Sequence, residues 1–400
     1  MRIVFVADFA SELLGYQEFL LATAVARLGH EVHLVTSCWN PPAPNYEESF
    51  QPLLGPRRGV PRTYEFDGVK VHRLPVAFNV RDRVYLSGLR ATCRELQPEV
   101  IFVHLTFTIT AVRMSRIAKQ MGIPLFYDNH SIRSVQNTSM VSRFAYTVYR
   151  KVLNVLVEPY ASKFFGVAKE CSDFLREVHG VQSEKVELLP LGVDTDLFHE
   201  DPDAGKRWRD SHGIGTGDFV VTQTGKLDHD KDPLTLARAI GLMNESEKVV
   251  HLVLVGGGPK PYVDDVIAAA GTQHVHLLPA VKVGQLSEIF SGSDVVCFPG
   301  GTSMSALEAA ACATVVVMND EPVSKWRASK GVGLTFPEKD PVALAGILED
   351  LRDMSVEEIQ NMGRYAQEAV ISEFSYERIA KDLIGHFEDA VWRRKATNSS

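Results

Sequence analysis

The 400-residue chain lacks most of what would mark a secreted, membrane-spanning or fibrous protein. Its five cysteines, at 38, 93, 171, 297 and 312, are odd in number and form no CxxC pair. That argues against a disulfide scaffold and against a thiolate zinc site. No apolar run approaches the ~18 residues of a membrane span; Val315–Met318 ends at once in Asn319. An acid already stands at position 8 of the opening Met1-Arg-Ile-Val-Phe-Val-Ala-Asp8. This start reads as a buried strand rather than a signal peptide, and a cytoplasmic location is expected. The 13 histidines show no HExxH spacing, and no GxSxG elbow occurs, so the zinc-protease and serine-hydrolase signatures are missing. No stripe of Lys and Arg with interleaved aromatics appears, so nucleic acid is not an expected partner. Gly/Ser linkers and repeats are absent too.

What remains is ordinary globular composition, 45% hydrophobic and 23% charged. The net charge of −8 is unevenly spread: residues 1–190 carry a surplus of +4, which leaves −12 for the rest. A mildly basic half suits an anionic ligand or membrane surface. Short apolar runs alternate with helical periodicity along the whole chain. In the first half they are Ile3–Val6, Val32–Val35, Val69–Val71, Val100–Val103, Leu125–Tyr127, Phe164–Val167 and Val186–Leu188. In the second they are Phe219–Thr222, His251–Val255, Val275–Leu278, Val295–Phe298 and Thr314–Val317. Buried strands alternating with helices predict α/β architecture, two doubly wound parallel-sheet domains. The turn-rich stretch Leu189–Asp203 predicts the boundary. The domains expected are 1–190 and 191–375, with a last helix over 376–395. The proline-rich stretch Cys38–Gly68 reads as a long irregular loop.

Doubly wound folds place chemistry beyond the carboxyl ends of their strands. Gly15, after the first strand and before a helix, offers close backbone approach to a phosphate; it equally suits a plain loop. Gly225-Lys226 and Lys231 follow the first strand of the second half, where two lysines could hold a diphosphate or simply be solvated. Gly256-Gly-Gly-Pro259 reads as a tight turn into a helix. Gly300-Gly301-Thr302-Ser303-Met304-Ser305 marks a strand-to-helix turn with Thr302 or Ser303 as its cap. Glu308, among Ala and Leu, needs a hydroxyl or cation partner, an arginine salt bridge being the plain alternative. His130 closes Phe126-Tyr-Asp128-Asn-His130 at a strand end, as a ligand-facing or an ordinary loop histidine. Asp194-Thr-Asp196, Asp201-Pro-Asp203 and Asp228-His-Asp230 resemble metal-binding DxD motifs, but each is common turn composition, so no metal is expected.

Together these motifs resemble the GT-B fold retaining glycosyltransferases of family 4, the group-1 glycosyl transferases, over nearly the whole length. Gly29-His30-Glu31-Val32 and Val35-Thr36-Ser37 resemble that family's start, and Leu189-Pro-Leu-Gly192-Val193-Asp194 its interdomain signature. Gly225-Lys226-Leu227…Lys231 resembles its GR-L-xxx-K element, with Lys226 where Arg is usual. Leu254-Val-Gly-Gly-Gly-Pro259 resembles its V-G-x-G-P turn, and Leu307-Glu308-Ala309 the end of its E-x7-E motif. The resemblance implies that Lys226 and Lys231 neutralise a donor diphosphate, that Glu308 holds the ribose hydroxyls, and that Gly15 lets a loop close over the phosphates. It places His130 at the donor sugar as a catalytic group, and implies that the last helix crosses back to the first domain.

One departure stands out. The first Glu of E-x7-E is Gly300 here, which leaves contact with the sugar to Gly301, Thr302 and Ser303, while the helix N-terminus at Thr302–Ser305 would face the diphosphate. The reading is a retaining, metal-independent glycosyltransferase without a cofactor. Its donor would be a nucleotide sugar bound between the domains, a UDP-sugar by family habit. Its acceptor would be a glycan, a lipid-linked or a small molecule, under the Cys38–Gly68 stretch. A nucleotide-sugar 2-epimerase and a non-catalytic donor-binding homologue are the alternatives. Finally, residues 145, 148, 149, 152, 153 and 156 form an apolar helical stripe beside Arg143, Arg150 and Lys151. It serves either the core or a peripheral membrane contact.

Overall fold

In the computed structural model, the described residues are 1–43, 46–80, 83–132, 140–244, 246–301 and 303–398, with the backbone alone described at 48–49, 140–146 and 397–398. The chain divides into two compact units, Met1–Leu191 with Tyr376–Ser400, and Gly192–Ser375.

The first unit is built on strands β1 (Arg2–Val6), β2 (Glu31–Ser37), β3 (Arg62–Phe66), β4 (Val69–Leu74), β5 (Val76–Val80), β6 (Arg83–Leu86), β7 (Val100–Val103), β8 (Leu125–Asn129), β9 (Lys163–Gly166) and β10 (Val186–Leu188). Eight of them form one sheet, ordered β10-β9-β8-β7-β1-β2-β4-β3. Every pairing in it is parallel except β3 with β4. Strands buried on both faces need no polar alternation, which is why they read as unbroken apolar runs. One face packs on the helix Gln17–Arg27 and on the final helix Tyr376–Asn398, whose Ile379, Leu383 and Phe387 are buried among Phe102, Phe126 and Phe165. The other face is covered by the helices Ile109–Met121 and Met140–Leu156.

The apolar stripe of that last helix goes largely into this core. Leu153 is fully buried, and Tyr149 and Leu156 pack against the same cluster, while Val148 stays exposed with Arg150 and Lys151. Of Arg143 and Ala145 the backbone alone is described. The Cys38–Gly68 stretch differs from an irregular loop: it carries the short helices Tyr46–Ser49 and Gln51–Leu54 and then β3. β3 is mostly exposed, so it lacks the apolar pattern that betrays a strand; β5 is mostly exposed as well, while β6 buries Val84 and Leu86.

The second unit holds β11 (Phe219–Thr224), β12 (Val250–Val255), β13 (Val275–Leu278), β14 (Val295–Phe298), β15 (Val315–Asn319) and β16 (Leu334–Phe336). They form an all-parallel sheet ordered β13-β12-β11-β14-β15-β16. In both units the chain reverses its direction of winding beside the first strand, between β1 and β7 and between β11 and β14. Loops diverge to opposite faces there and leave a crevice at the carboxyl edge, where such sheets take their ligands. Among the described residues no helix is long and apolar enough to cross a membrane.

Candidate functional site

In the second unit, the loop after β11 and the turn after β14 meet at this crevice. Gly225 N–H donates to Val255 O at 2.9 Å and Leu227 N–H to Gly257 O at 3.0 Å, so the loop lies against the glycine turn after β12. A side chain at Gly256 or Gly258 would strike the carbonyls of Gly225 and Leu227. The glycine triplet therefore serves close packing of two loops as well as the turn into the helix Lys260–Ala269. A cavity of about 330 Å³ opens here, lined by Thr224, Gly225, Lys226, Gly256, Gly257 and Ser305. A cavity of about 390 Å³ lies at the opposite edge, beside Asp218 and Asp294 just ahead of β11 and β14. Its Arg209 is already committed to Gly292 O, Asp218 O and Asp294, so the switch-point cavity is the better candidate.

Asp228 organises the lysine loop: its Oδ1 accepts the N–H groups of Asp230 and Lys231 at 3.2 and 3.1 Å. Asp232 caps the helix Pro233–Leu242 by accepting from Thr235. Asp194 and Asp201 likewise accept backbone N–H groups of their own turns. The first acid of each DxD pair is thus a turn or cap residue. Burial pushes the Lys231 ammonium below its ordinary value, and Glu321, Asp228 and Asp230 push it back up. Lys231 Nζ lies 3.5 Å from where a Gly301 side chain would start, so the lysine and the glycine turn belong to one site.

The same packing explains Gly300. A Cβ there would stand 2.6 Å from Asp230 O, 2.8 Å from the Lys231 carbonyl carbon and 3.0 Å from Asp232 Cβ. The lysine loop occupies the space that a glutamate at this position would need. Thr302 lies outside the described residues. Ser303 is not the cap of the following helix, Ser305–Ala311; Met304 holds the cap position without a side-chain bond. Ser303 Oγ instead accepts the Ser305 N–H at 3.3 Å.

Glu308 lies on that helix. Burial raises its carboxyl above the ordinary range, against the Ser305 hydroxyl and the charge of Arg327. Sequence reasoning missed Arg327. It is 4% exposed and donates to Ser303 O at 2.5 Å and to Met304 Sδ at 3.7 Å, and its Nε meets no partner. Burial lowers it to about 10, opposed by Glu308. Arg327 therefore pins the turn and biases Glu308 without closing an ion pair with it.

In the first unit Gly15 takes φ +62° two residues before the helix Gln17–Arg27, a conformation that favours glycine. At the β1/β7 switch point Thr110 Oγ1 donates to Asp8 Oδ1, and Asp8 Oδ2 is buried without a partner. Burial raises Asp8 to about 6. Beside it sits a second group that sequence reasoning saw only in part. Asp128, at the end of β8, is fully buried; its Oδ1 accepts Leu105 N–H at 2.8 Å and its Oδ2 accepts His104 Nδ1–H at 2.6 Å. His130 Nε2 lies 3.4 Å from the same Oδ2, with its side chain 29% exposed. His104 was missed; its one signal is a polar residue directly after the apolar strand β7.

Two histidines and a carboxylate this close are, among the described residues, the cluster best able to hold a metal. The geometry favours hydrogen bonding instead. Ligands at about 2.0–2.2 Å from a tetrahedral zinc stand about 3.3 Å apart, whereas His104 Nδ1 and Asp128 Oδ2 are at charge-assisted hydrogen-bond distance.

Comparison with known proteins bears on the fold and the family. The Glycosyl transferase 4-like domain family matches residues 20–192, and Glycosyl transferases group 1 matches residues 205–369. A D-inositol 3-phosphate glycosyltransferase of Pseudarthrobacter chlorophenolicus is 23% identical over 74% of this chain and 71% of its own length. The enzyme of that name from Segniliparus rotundus is 22% identical over 92% and 83%. The crystal structure of Anabaena Alr3699/HepE in complex with UDP superposes with a TM-score of 0.70 at 15% identity, covering 97% of this chain and all of that one. Two units of this fold, each matched over most of its length by a model of the same enzyme family, identify the chain as a member of the group 1 glycosyltransferases of GT-B fold.

Proposed function

We propose that the protein transfers a sugar from a nucleotide-diphosphate sugar with retention of anomeric configuration and without a metal. The observation that carries this reading is the switch-point cavity of the second unit, where Lys226 lines the wall and Lys231 stands beside the Gly301 turn. Negative charge builds on the leaving diphosphate as the glycosidic bond breaks, and two fixed cations stabilise it. Glu308 can accept two ribose hydroxyls, while Gly225, Gly301, Ser303 and Ser305 offer backbone and hydroxyl contacts. In the transfer, the acceptor oxygen bonds to the anomeric carbon as the bond to the diphosphate breaks, and the acceptor proton passes to the diphosphate. His130 is proposed as a catalytic group of the reaction.

A UDP-sugar is the donor proposed, since Anabaena HepE has been crystallised with UDP and with UDP-glucose. The acceptor is a hydroxyl-bearing glycan, lipid-linked or small molecule. D-inositol 3-phosphate is the first to try, from the names of the relatives. Thermal stabilisation by UDP, GDP and ADP tests the site: binding at about 100 times Kd contributes about 2.7 kcal/mol. One nucleotide should stabilise the wild type and not Lys231→Ala. Equal stabilisation of both proteins would move the diphosphate elsewhere.

A further inference from the structure

Asp128 has a task that the fold alone does not require. β7 and β8 run parallel with Val103 opposite Tyr127, so the next residues, His104 and Asp128, emerge side by side at the carboxyl edge, and His130 follows two positions on. Leu105 takes φ +67°, and its N–H donates to Asp128 Oδ1. The carboxylate is thereby held from both oxygens at no exposure to solvent.

His104 settles where the charge of Asp128 is used. Its Nδ1–H donates to Asp128, while Nε2 is buried with no partner. The ring lies between Phe5, stacked at 6.0 Å, and Phe102, edge-on at 5.0 Å. His104 therefore orients the carboxylate from one side through a fixed ring, and the same Oδ2 faces the third partner. That partner is His130, whose ring is partly exposed but whose Nε2 is buried and meets Asp128 at ion-pair distance, without a hydrogen bond. Glu18, on the helix Gln17–Arg27, adds a further negative charge from outside the cluster.

We propose that Asp128 is a positioning residue that clamps His130 and holds it as an imidazolium, with His104 as the fixed support of the clamp. This rests on the reading of His130 as a catalytic group. Its consequence is that His130 presents a fixed positive charge and a proton to give, rather than a base. Burial alone would discharge the ring; the opposing pull of Asp128 and Glu18 leaves it raised above the ordinary histidine value.

The test is a proton–nitrogen NMR titration of the folded protein with ¹⁵N-labelled histidine, the His130 signal being assigned by its loss in His130→Gln. In the wild type His130 should titrate above pH 6.5. In Asp128→Asn the midpoint should fall by at least one pH unit, a tenfold loss of proton affinity, because the amide keeps the shape without the charge. A wild-type midpoint below 6.5 overturns the proposal even where Asp128→Asn does not fold, and so does an unmoved midpoint in a folded Asp128→Asn. Donor turnover of His130→Ala is the separate check on the catalytic reading: unchanged turnover removes His130 from the mechanism and leaves the titration result standing.

Discussion

Replacing Gly300 by glutamate is the most informative single perturbation, because it restores the residue that the family resemblance expects and that the packing forbids. The first side-chain carbon would stand 2.6 Å from Asp230 O, where ordinary contact begins at 3.4 Å; the loop must retreat by about 0.8 Å. Forced overpacking of this kind costs about 1–3 kcal/mol. For a unit of this size each kcal/mol lowers Tm by about 2–4 °C, so a fall of roughly 2–12 °C is expected. The retreating loop carries Lys231, and misplacement of a catalytic group by about 1 Å costs about 100-fold in rate. Donor turnover should therefore fall by one to two orders of magnitude. Calorimetry on Gly300→Ala and Gly300→Glu, beside a donor-consumption assay, measures both quantities. Gly346→Ala, in the helix Pro341–Asp353 of the same unit, is the control, since a Cβ there meets nothing within 4 Å. A Gly300→Glu enzyme with wild-type Tm and equal or faster turnover would refute the steric account.

Other outcomes follow from the same reasoning. Lys231→Ala removes a charge-assisted contact of about 1.5–3 kcal/mol, and steady-state kinetics with the preferred donor should show turnover down tenfold or more. Glu308→Gln should weaken nucleotide binding by calorimetry with Tm unchanged; unfolding without loss of affinity in the folded fraction would make Glu308 a structural residue. His179 is fully buried among Tyr149 and Phe174, neither nitrogen has a partner, and burial lowers it to about 4. Its unfolded value is about 6.5, so the unfolded chain binds the proton first and stability falls as pH drops from about 6.5 toward 4. The loss is about 2 kcal/mol by pH 5. In His179→Phe that slope should shrink by up to one proton in urea melts at pH 7, 6 and 5; an unchanged slope would show that His179 is not the titrating group.

The strands that line both switch points were legible because burial on two faces writes unbroken apolar runs into β1, β7, β8, β11 and β14. Gly225, Lys226 and Lys231 were legible because they follow such a run at once. β3, with Arg62 and Glu65 in a largely exposed edge strand, carried no such pattern. The pairing of His104 with Asp128 was hidden because it depends on the register of two strands 24 residues apart. Gly300 looked like the loss of a side chain; its reason lies in a loop 70 residues earlier in the chain. The cap of the helix Ser305–Ala311 was misread because a turn pinned by Arg327 needs no capping side chain.

The central claim is retaining transfer from a nucleotide sugar whose diphosphate is held by Lys226 and Lys231. Proton NMR followed over time, in the presence of EDTA, tests it most directly, with UDP-, GDP- and ADP-sugars offered one at a time with D-inositol 3-phosphate and glycan acceptors. One donor should be consumed in step with an acceptor, the product should keep the donor's anomeric configuration, and Lys226→Ala/Lys231→Ala should abolish the reaction. An inverted product, isomerisation of the donor sugar without acceptor, or undiminished turnover in the double variant would contradict it.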